Sequence, residues 1–138
     1  MTTPAVTPLG PVQAAVYQVL TGDAALVGMV SGVYDAVPEG AGYPYVVIGE
    51  AMEVPAGAHD RYGRETVETL HIWSDYRGFA QSQQIASRVV ALLDHQPLTI
   101  DGHHHVATRY EFAQQLRDPA GPTIRHTVLR FRVLTEQV

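Results

Sequence analysis

The sequence predicts an α+β domain in which an antiparallel β-sheet carries helices on one face. Three observations lead there. Thr66–Trp73 is rich in β-branched and aromatic residues. Strand alternation puts Glu68, Leu70 and Ile72 on one face and Val67, Thr69, His71 and Trp73 on the other. Directly after it, Ile85, Ala86, Val89, Leu92 and Leu93 recur at helical spacing, with Gln81, Gln84, Ser87 and Arg88 largely off that stripe. Finally, the chain from His104 to Thr135 reads as a long hairpin.

Each element has a local reason. Met1–Pro8 is rich in proline and threonine and is expected to be a loose end. A helix starts near Gly10 or Pro11, where proline suits a first turn. Its apolar stripe is Val12, Ala15, Val16, Val19 and Leu20, and Thr21-Gly22 ends it. Asp23 can cap a second, short helix over Ala24–Met29. Gly32 releases the chain into a short edge strand, Val33-Tyr34, and Pro38–Pro44 is a turn-rich connector. Tyr45–Glu50 is apolar almost without alternation, which predicts a central strand buried on both faces. Val54–Gly63 reads as a flexible loop, with Pro55, Gly57 and Gly63 around His59, Asp60 and Arg61; loops of that length are often functional.

Asp75 is placed to cap the helix over Phe79–Asp94, and Pro97 stops it. Leu98-Thr99-Ile100 and Asp101-Gly102 read as a short strand and a tight turn. His104, Val106, Thr108, Tyr110 and Phe112 then alternate with Ala107, Arg109, Glu111 and Ala113. Arg117–Pro122 is a turn. The last strand, about Arg125–Thr135, sets Thr127, Leu129, Phe131 and Val133 against Val128, Arg130, Arg132 and Leu134. The expected core joins Leu70, Ile72, Val89, Leu92 and Phe131 between sheet and helix.

At 138 residues and 46% apolar composition, the chain fits a single globular domain over 1–138. No apolar run approaches the roughly 18 residues that span a bilayer. The N-terminus lacks the basic and apolar regions of a signal peptide. With no cysteine there is neither a disulfide framework nor a thiolate metal site. These features favour synthesis in the cytoplasm. A net charge of −5 argues against general nucleic-acid binding, which needs clustered basic charge. All nine basic residues are arginine, so every cation can make a forked contact.

No catalytic motif emerges. His103-His104-His105 suggests zinc by composition. Adjacent strand residues point to opposite faces, however, and no cysteine or paired carboxylate completes a site, although Asp101 is close in sequence. A solvated strand start is expected there. His71 beside Trp73 could be a general base, but with no nucleophile motif it reads as a satisfied core or interface histidine. Ser74-Asp75 reads as a helix cap rather than as part of a hydrolytic triad. Neither Gly40-Ala41-Gly42 nor the glycines near Gly57 match a phosphate-binding loop. Glu50, Glu53, Glu65 and Glu68 are expected on a solvated surface, and Arg130 and Arg132 line an assembly contact or face solvent.

An ordered set of segments runs through most of the chain. It comprises the Val12–Leu20 helix with Asp23-Ala24-Ala25-Leu26-Val27, then Val33-Tyr34-Asp35 and Val37-Pro38. Tyr43-Pro44-Tyr45-Val46-Val47-Ile48-Gly49-Glu50 follows, and then Leu70-His71-Ile72-Trp73-Ser74 leading into Gly78 and Ile85-Ala86-x-x-Val89. Arg125-His126-x-x-Leu129-Arg130-Phe131-Arg132-Val133 closes the set. In this order the segments resemble the tail-terminator, or tail-completion, proteins of long-tailed bacteriophages, prophages and gene transfer agents.

The resemblance implies an α+β subunit that assembles into a hexameric ring at the head-proximal end of the virion tail. Such a ring ends tube polymerisation and offers a surface for head–tail joining. Implied partners are further copies of the chain, the major tail tube protein and the head–tail connector or neck proteins. DNA would pass the lumen without specific binding, and no membrane is involved. No catalytic residue, cofactor or metal is implied. The expected contact residues are Asp60, Arg61, Tyr62 and Arg64 at the loop, Arg117 at the turn, and Arg130 and Arg132 on the last strand. His103–His105 is not a family feature and leaves a local metal contact open. The competing readings are another neck protein between portal and tail, and a small histidine-based or metal-dependent enzyme.

Overall fold

The computed structural model describes residues 3–119 and 121–138. Helices α1 (Leu9–Thr21) and α2 (Ala24–Val27) come first, followed by strands β1 (Val33–Tyr34), β2 (Tyr45–Pro55) and β3 (Gly63–Asp75). Helix α3 (Ala80–Leu93) then leads into β4 (His103–Arg117) and β5 (Ile124–Gln137). The strands form one sheet in the order β1-β2-β3-β5-β4. All neighbours are antiparallel except β1, which lies parallel to β2. The expected fold class is therefore the observed one, with a parallel edge strand added.

The helices cover one face of the sheet. Val12, Val16 and Leu20 of α1 and Ile85, Val89 and Leu93 of α3 are buried against Val46, Ile48, Leu70, Ile72, Leu129, Phe131 and Val133. Leu92, expected inside this core, is only partly buried at its margin; Leu93 takes the inner position. Asp23 caps α2 as expected, accepting from the Leu26 N–H at 2.9 Å. Its carboxylate also holds Arg88 of α3 through Nη2 at 2.6 Å, tying the two helices together. That hydrogen bond, with the one from Leu26, pulls the Asp23 pKa down to about 2.

Several expectations are corrected. β2 is not a central strand buried on both faces. It is second from the edge, and the strands paired on both sides along their length are β3 and β5. Val46 and Ile48 face the core, whereas Tyr45 and Val47 lie half-buried on the face without helices. There Tyr45 stacks on Tyr43 (ring centroids 5.3 Å apart) and meets Tyr34 edge-on, so aromatic cover rather than a second helical layer explains the apolar run. The Val54–Gly63 loop is shorter than expected, because Val54 and Pro55 extend β2 and Gly63 begins β3. Asp75 does not cap α3: the N-cap is Phe79, with no side-chain cap, and the Asp75 carboxylate accepts from the Thr123 hydroxyl.

The N-terminal stretch is anchored from Thr3 onward rather than loose. Tyr62 Oη donates to the Thr3 carbonyl at 2.9 Å, and Gln137 accepts from the Val6 N–H at 3.0 Å. Met1 and Thr2 lie outside the described residues. Simple alternation also fails along β4. Bulges between His105 and Ala107 and between Tyr110 and Phe112 shift its register against β5, so Thr108 and Tyr110 oppose core residues while Phe112 turns to the other face.

Candidate assembly interface

The sheet face opposite the helices carries a polar and aromatic cluster that register assembles. β3 and β5 pair so that Trp73 opposes His126 and His71 opposes Val128. The indole and the His126 ring stack at 4.0 Å and 7°. His71 Nδ1 lies 2.7 Å from His126 Nε2, and His71 Nε2 lies 2.9 Å from Glu50 Oε1. The ring of His71 fits because Gly49 has no side chain: a Cβ there would stand 2.6 Å from His71 Cδ2 and 3.2 Å from the Thr69 carbonyl. Burial is the largest single influence on Glu50 and would raise its pKa, but the bond and charge of His71, with a backbone hydrogen bond and the charge of Arg130, together turn the net shift downward. Burial, then the neighbouring His71, lowers the pKa of His126.

His71 is thus a satisfied histidine, as its residue pattern suggests. Its partner His126 escapes sequence reasoning because only strand register brings the two together. The same holds for Arg125, which is buried. Its Nη2 donates to the Arg77 carbonyl at 2.8 Å and its Nη1 to the Pro122 carbonyl at 3.0 Å, and its guanidinium lies 5.2 Å from the Phe79 ring centroid. That side chain fastens the β3–α3 turn to the β4–β5 turn.

The seven expected contact residues fall in three places. Asp60, Arg61, Tyr62 and Arg64 gather at the β2–β3 hairpin. Arg61 pairs with Glu136 at 3.5 Å and Asp60 at 3.6 Å, and Arg64 pairs with Glu53 at 2.9 Å. Arg117 is at the opposite end of the sheet, its guanidinium 6.0 Å from Phe79, separated from the hairpin by the length of β3, about 40 Å. Arg130 and Arg132 lie on the open face between them. Arg130 sits over Phe112 at 5.1 Å, and Arg132 pairs with Glu65 at 3.0 Å and with Glu111.

The four glutamates do not share one solvated surface. Glu50, Glu53 and Glu65 are each paired as described. Glu68 is 1% exposed on the helix-side face, and neither carboxylate oxygen has a hydrogen-bond partner among the described residues. Burial, reinforced by Asp35 and Glu50, pushes its pKa up to about 7. The three successive histidines also separate. His104 is exposed, whereas His103 is buried with Nδ1 2.9 Å from the Asp101 carbonyl, and His105 Nε2 meets Thr108 Oγ1 at 2.7 Å. Among the described residues no group of three or more His, Cys, Asp or Glu side chains is arranged to hold a metal.

The family model described as tail completion protein gp17 matches residues 14–136. The tail completion protein gp17 of Bacillus phage SPP1 is 32% identical over 107 residues, 78% of either chain. Among solved structures, a chain in the virion of a native gene transfer agent particle superposes with a TM-score of 0.88 at 30% identity, covering 96% of this chain and 99% of that one. The structure of bacteriophage SPP1 gp17 superposes with a TM-score of 0.62 at 28% identity, covering 90% of this chain and 88% of its own.

Proposed function

The chain belongs to the tail completion protein gp17 family, and on that premise we propose that it is a structural virion protein. Six copies form a ring at the head-proximal end of the tail tube. The ring ends tube polymerisation and presents a docking surface to the head connector. The observation that carries this reading is the superposition of nearly the whole chain on a chain from a gene transfer agent virion. The fold suits the role: its two sheet edges differ, as a closed head-to-tail ring requires.

The role is mechanical rather than catalytic. Glu50, His71 and His126 fix one another on the open face and contact no hydroxyl or thiol nucleophile among the described residues. A net charge of −5 lets DNA pass the lumen without being gripped, because carboxylates and phosphates repel. The β2–β3 hairpin, with Asp60, Arg61, Tyr62 and Arg64, is the proposed tube contact. Arg117, Arg130 and Arg132 are proposed contacts to neighbouring copies or to the connector.

The test is electron microscopy of particles assembled without the chain, with mass measurement of intact tails. Overlong or headless tails and about six copies per particle are expected. Normal infectious particles would remove the completion role, and one copy per particle would remove the ring. Strong DNA binding by the purified protein at physiological salt would overturn the lumen argument.

A further inference from the structure

We propose that copies join edge to edge: β4 of one copy seats against the α1–β1 edge of the next, with Arg109 facing Asp35. This rests on the ring reading above and names the two surfaces that close it.

β1 and β4 are the opposite edges of the sheet, with three strands between them. At the usual strand spacing they stand about 19 Å apart. A contact joining them passes from copy to copy without satisfying itself, which is what a head-to-tail ring needs. Both edges are unfinished. β4 leaves Val106 56%, Tyr110 41% and Leu116 37% exposed. Long apolar edge strands are normally covered or charged. Its two bulges interrupt any continued ladder, so side-chain packing is the expected mode of contact.

At the other edge, β1 pairs only with Val46 and Val47 of β2. Beyond that short strand a groove of about 380 Å³ opens between α1 and β2, lined by Gly10, Gln13, Ala14, Tyr17, Asp35 and Ile48. The small residues Gly10 and Ala14 shape it, and Tyr17 is 45% exposed beside them.

Charge chooses the occupant. Residues 1–60 contain six acidic side chains, Asp23, Asp35, Glu39, Glu50, Glu53 and Asp60, and no arginine or lysine. Four of these are paired within the chain, to Arg88, His71, Arg64 and Arg61. Asp35 in the groove and Glu39 just after it form no ion pair among the described residues. On β4, Arg109 and Arg117 likewise meet no carboxylate among the described residues, whereas Glu111 is held by Arg132. The acidic edge therefore lacks cations, and the apolar edge strand offers them. A second copy supplies both the side chains that fill the groove and the charge that matches it.

The chain has no cysteine, which makes the test direct. Asp35→Cys and Arg109→Cys are combined in one chain, oxidised at high concentration and also in assembled tails. A disulfide needs Cα atoms within about 7 Å, so these two positions can bond only between copies. We expect a ladder of covalent multimers ending at the ring's copy number, with no ladder from either single variant. In parallel, Arg109→Glu should lower the oligomer fraction about tenfold or more, and adding Asp35→Arg should restore it. Both positions are exposed, so the fold should persist. Monomers alone from the double-cysteine chain, in tails that still hold several copies, would overturn this edge contact and leave the ring standing. Failure of the charge swap to restore assembly would overturn the Arg109–Asp35 pairing. One copy per particle would bring down the ring reading and this contact with it.

Discussion

His71 Nδ1 and His126 Nε2 stand 2.7 Å apart, so two imidazoles share one proton position. Glu50 holds the other nitrogen of His71, and Trp73 lies flat on His126. Two cationic rings could not keep this spacing; the arrangement needs at least one neutral histidine.

That requirement sets a pH dependence. In the unfolded chain an imidazole takes its proton near 6.5. Burial and His71 hold folded His126 below that value. As pH falls through 6.5 the unfolded chain therefore binds more protons, and stability drops until the folded value is passed. Glu50, also lowered when folded, adds loss in the same direction at lower pH. In a Glu68→Gln background, which removes the opposite contribution of that buried acid, the thermal midpoint should fall between pH 7.5 and 5, and adding His126→Phe should flatten the fall. An unchanged slope in the variant would refute the assignment.

Glu68 has the opposite sign. Its pKa rises from 4.5 to about 7 when folded. Below pH 4.5 the acid is neutral in both states and there is no ionisation penalty. From 4.5 to 7 only the unfolded chain ionises, so the penalty grows, and above 7 it is complete at up to about 3 kcal/mol. Glu68→Gln should stabilise by about that amount at pH 8 and by almost nothing at pH 4. Denaturant melts at the two pH values decide it; equal effects at both would exclude a titrating Glu68.

The α3 packing predicts a graded pair. Leu93, 1% exposed, should cost about 2–5 kcal/mol as Leu93→Ala. Leu92→Ala, at the core margin, should cost clearly less. Equal losses in urea unfolding would mean the helix is rotated from the position described.

At the hairpin, Arg61→Ala with Tyr62→Ala should leave the fold nearly unchanged. The Arg61–Glu136 pair is exposed and worth at most about 1 kcal/mol. The expected lesion is failed capping, seen as overlong or headless tails. Normal infectious particles would move the tube contact, with the turn after Arg117 as the next candidate.

Gly49→Ala tests the close approach on the open face. The new methyl would overlap the His71 ring, so His71 must leave Glu50 or β2 must shift where its register against β3 breaks between Ile48 and Ala51. The pH dependence described above should weaken while Leu70 and Ile72 stay packed. Retention of the wild-type profile would show that the ring has room.

Local pattern determined much of this protein. The α1 stripe, the Asp23 cap, the faces of β3 and β5 and the α3 stripe all follow from spacing, because burying one apolar face admits one orientation per element. The ordered segments were also enough to point to the family. Register and layer count are different, since both depend on partners remote in sequence. Tyr45–Glu50 looked doubly buried because its outer cover is a cluster of tyrosines and not a helix. Two bulges break the alternation of β4, so Phe112 does not share the face of Thr108 and Tyr110 as simple spacing implied. Glu68 looked solvated because a carboxylate ordinarily is; only packing on both sides of the strand enclosed it. The pairing of β3 with β5 joined His71 to His126 across 55 residues of chain, a meeting that no local preference encodes.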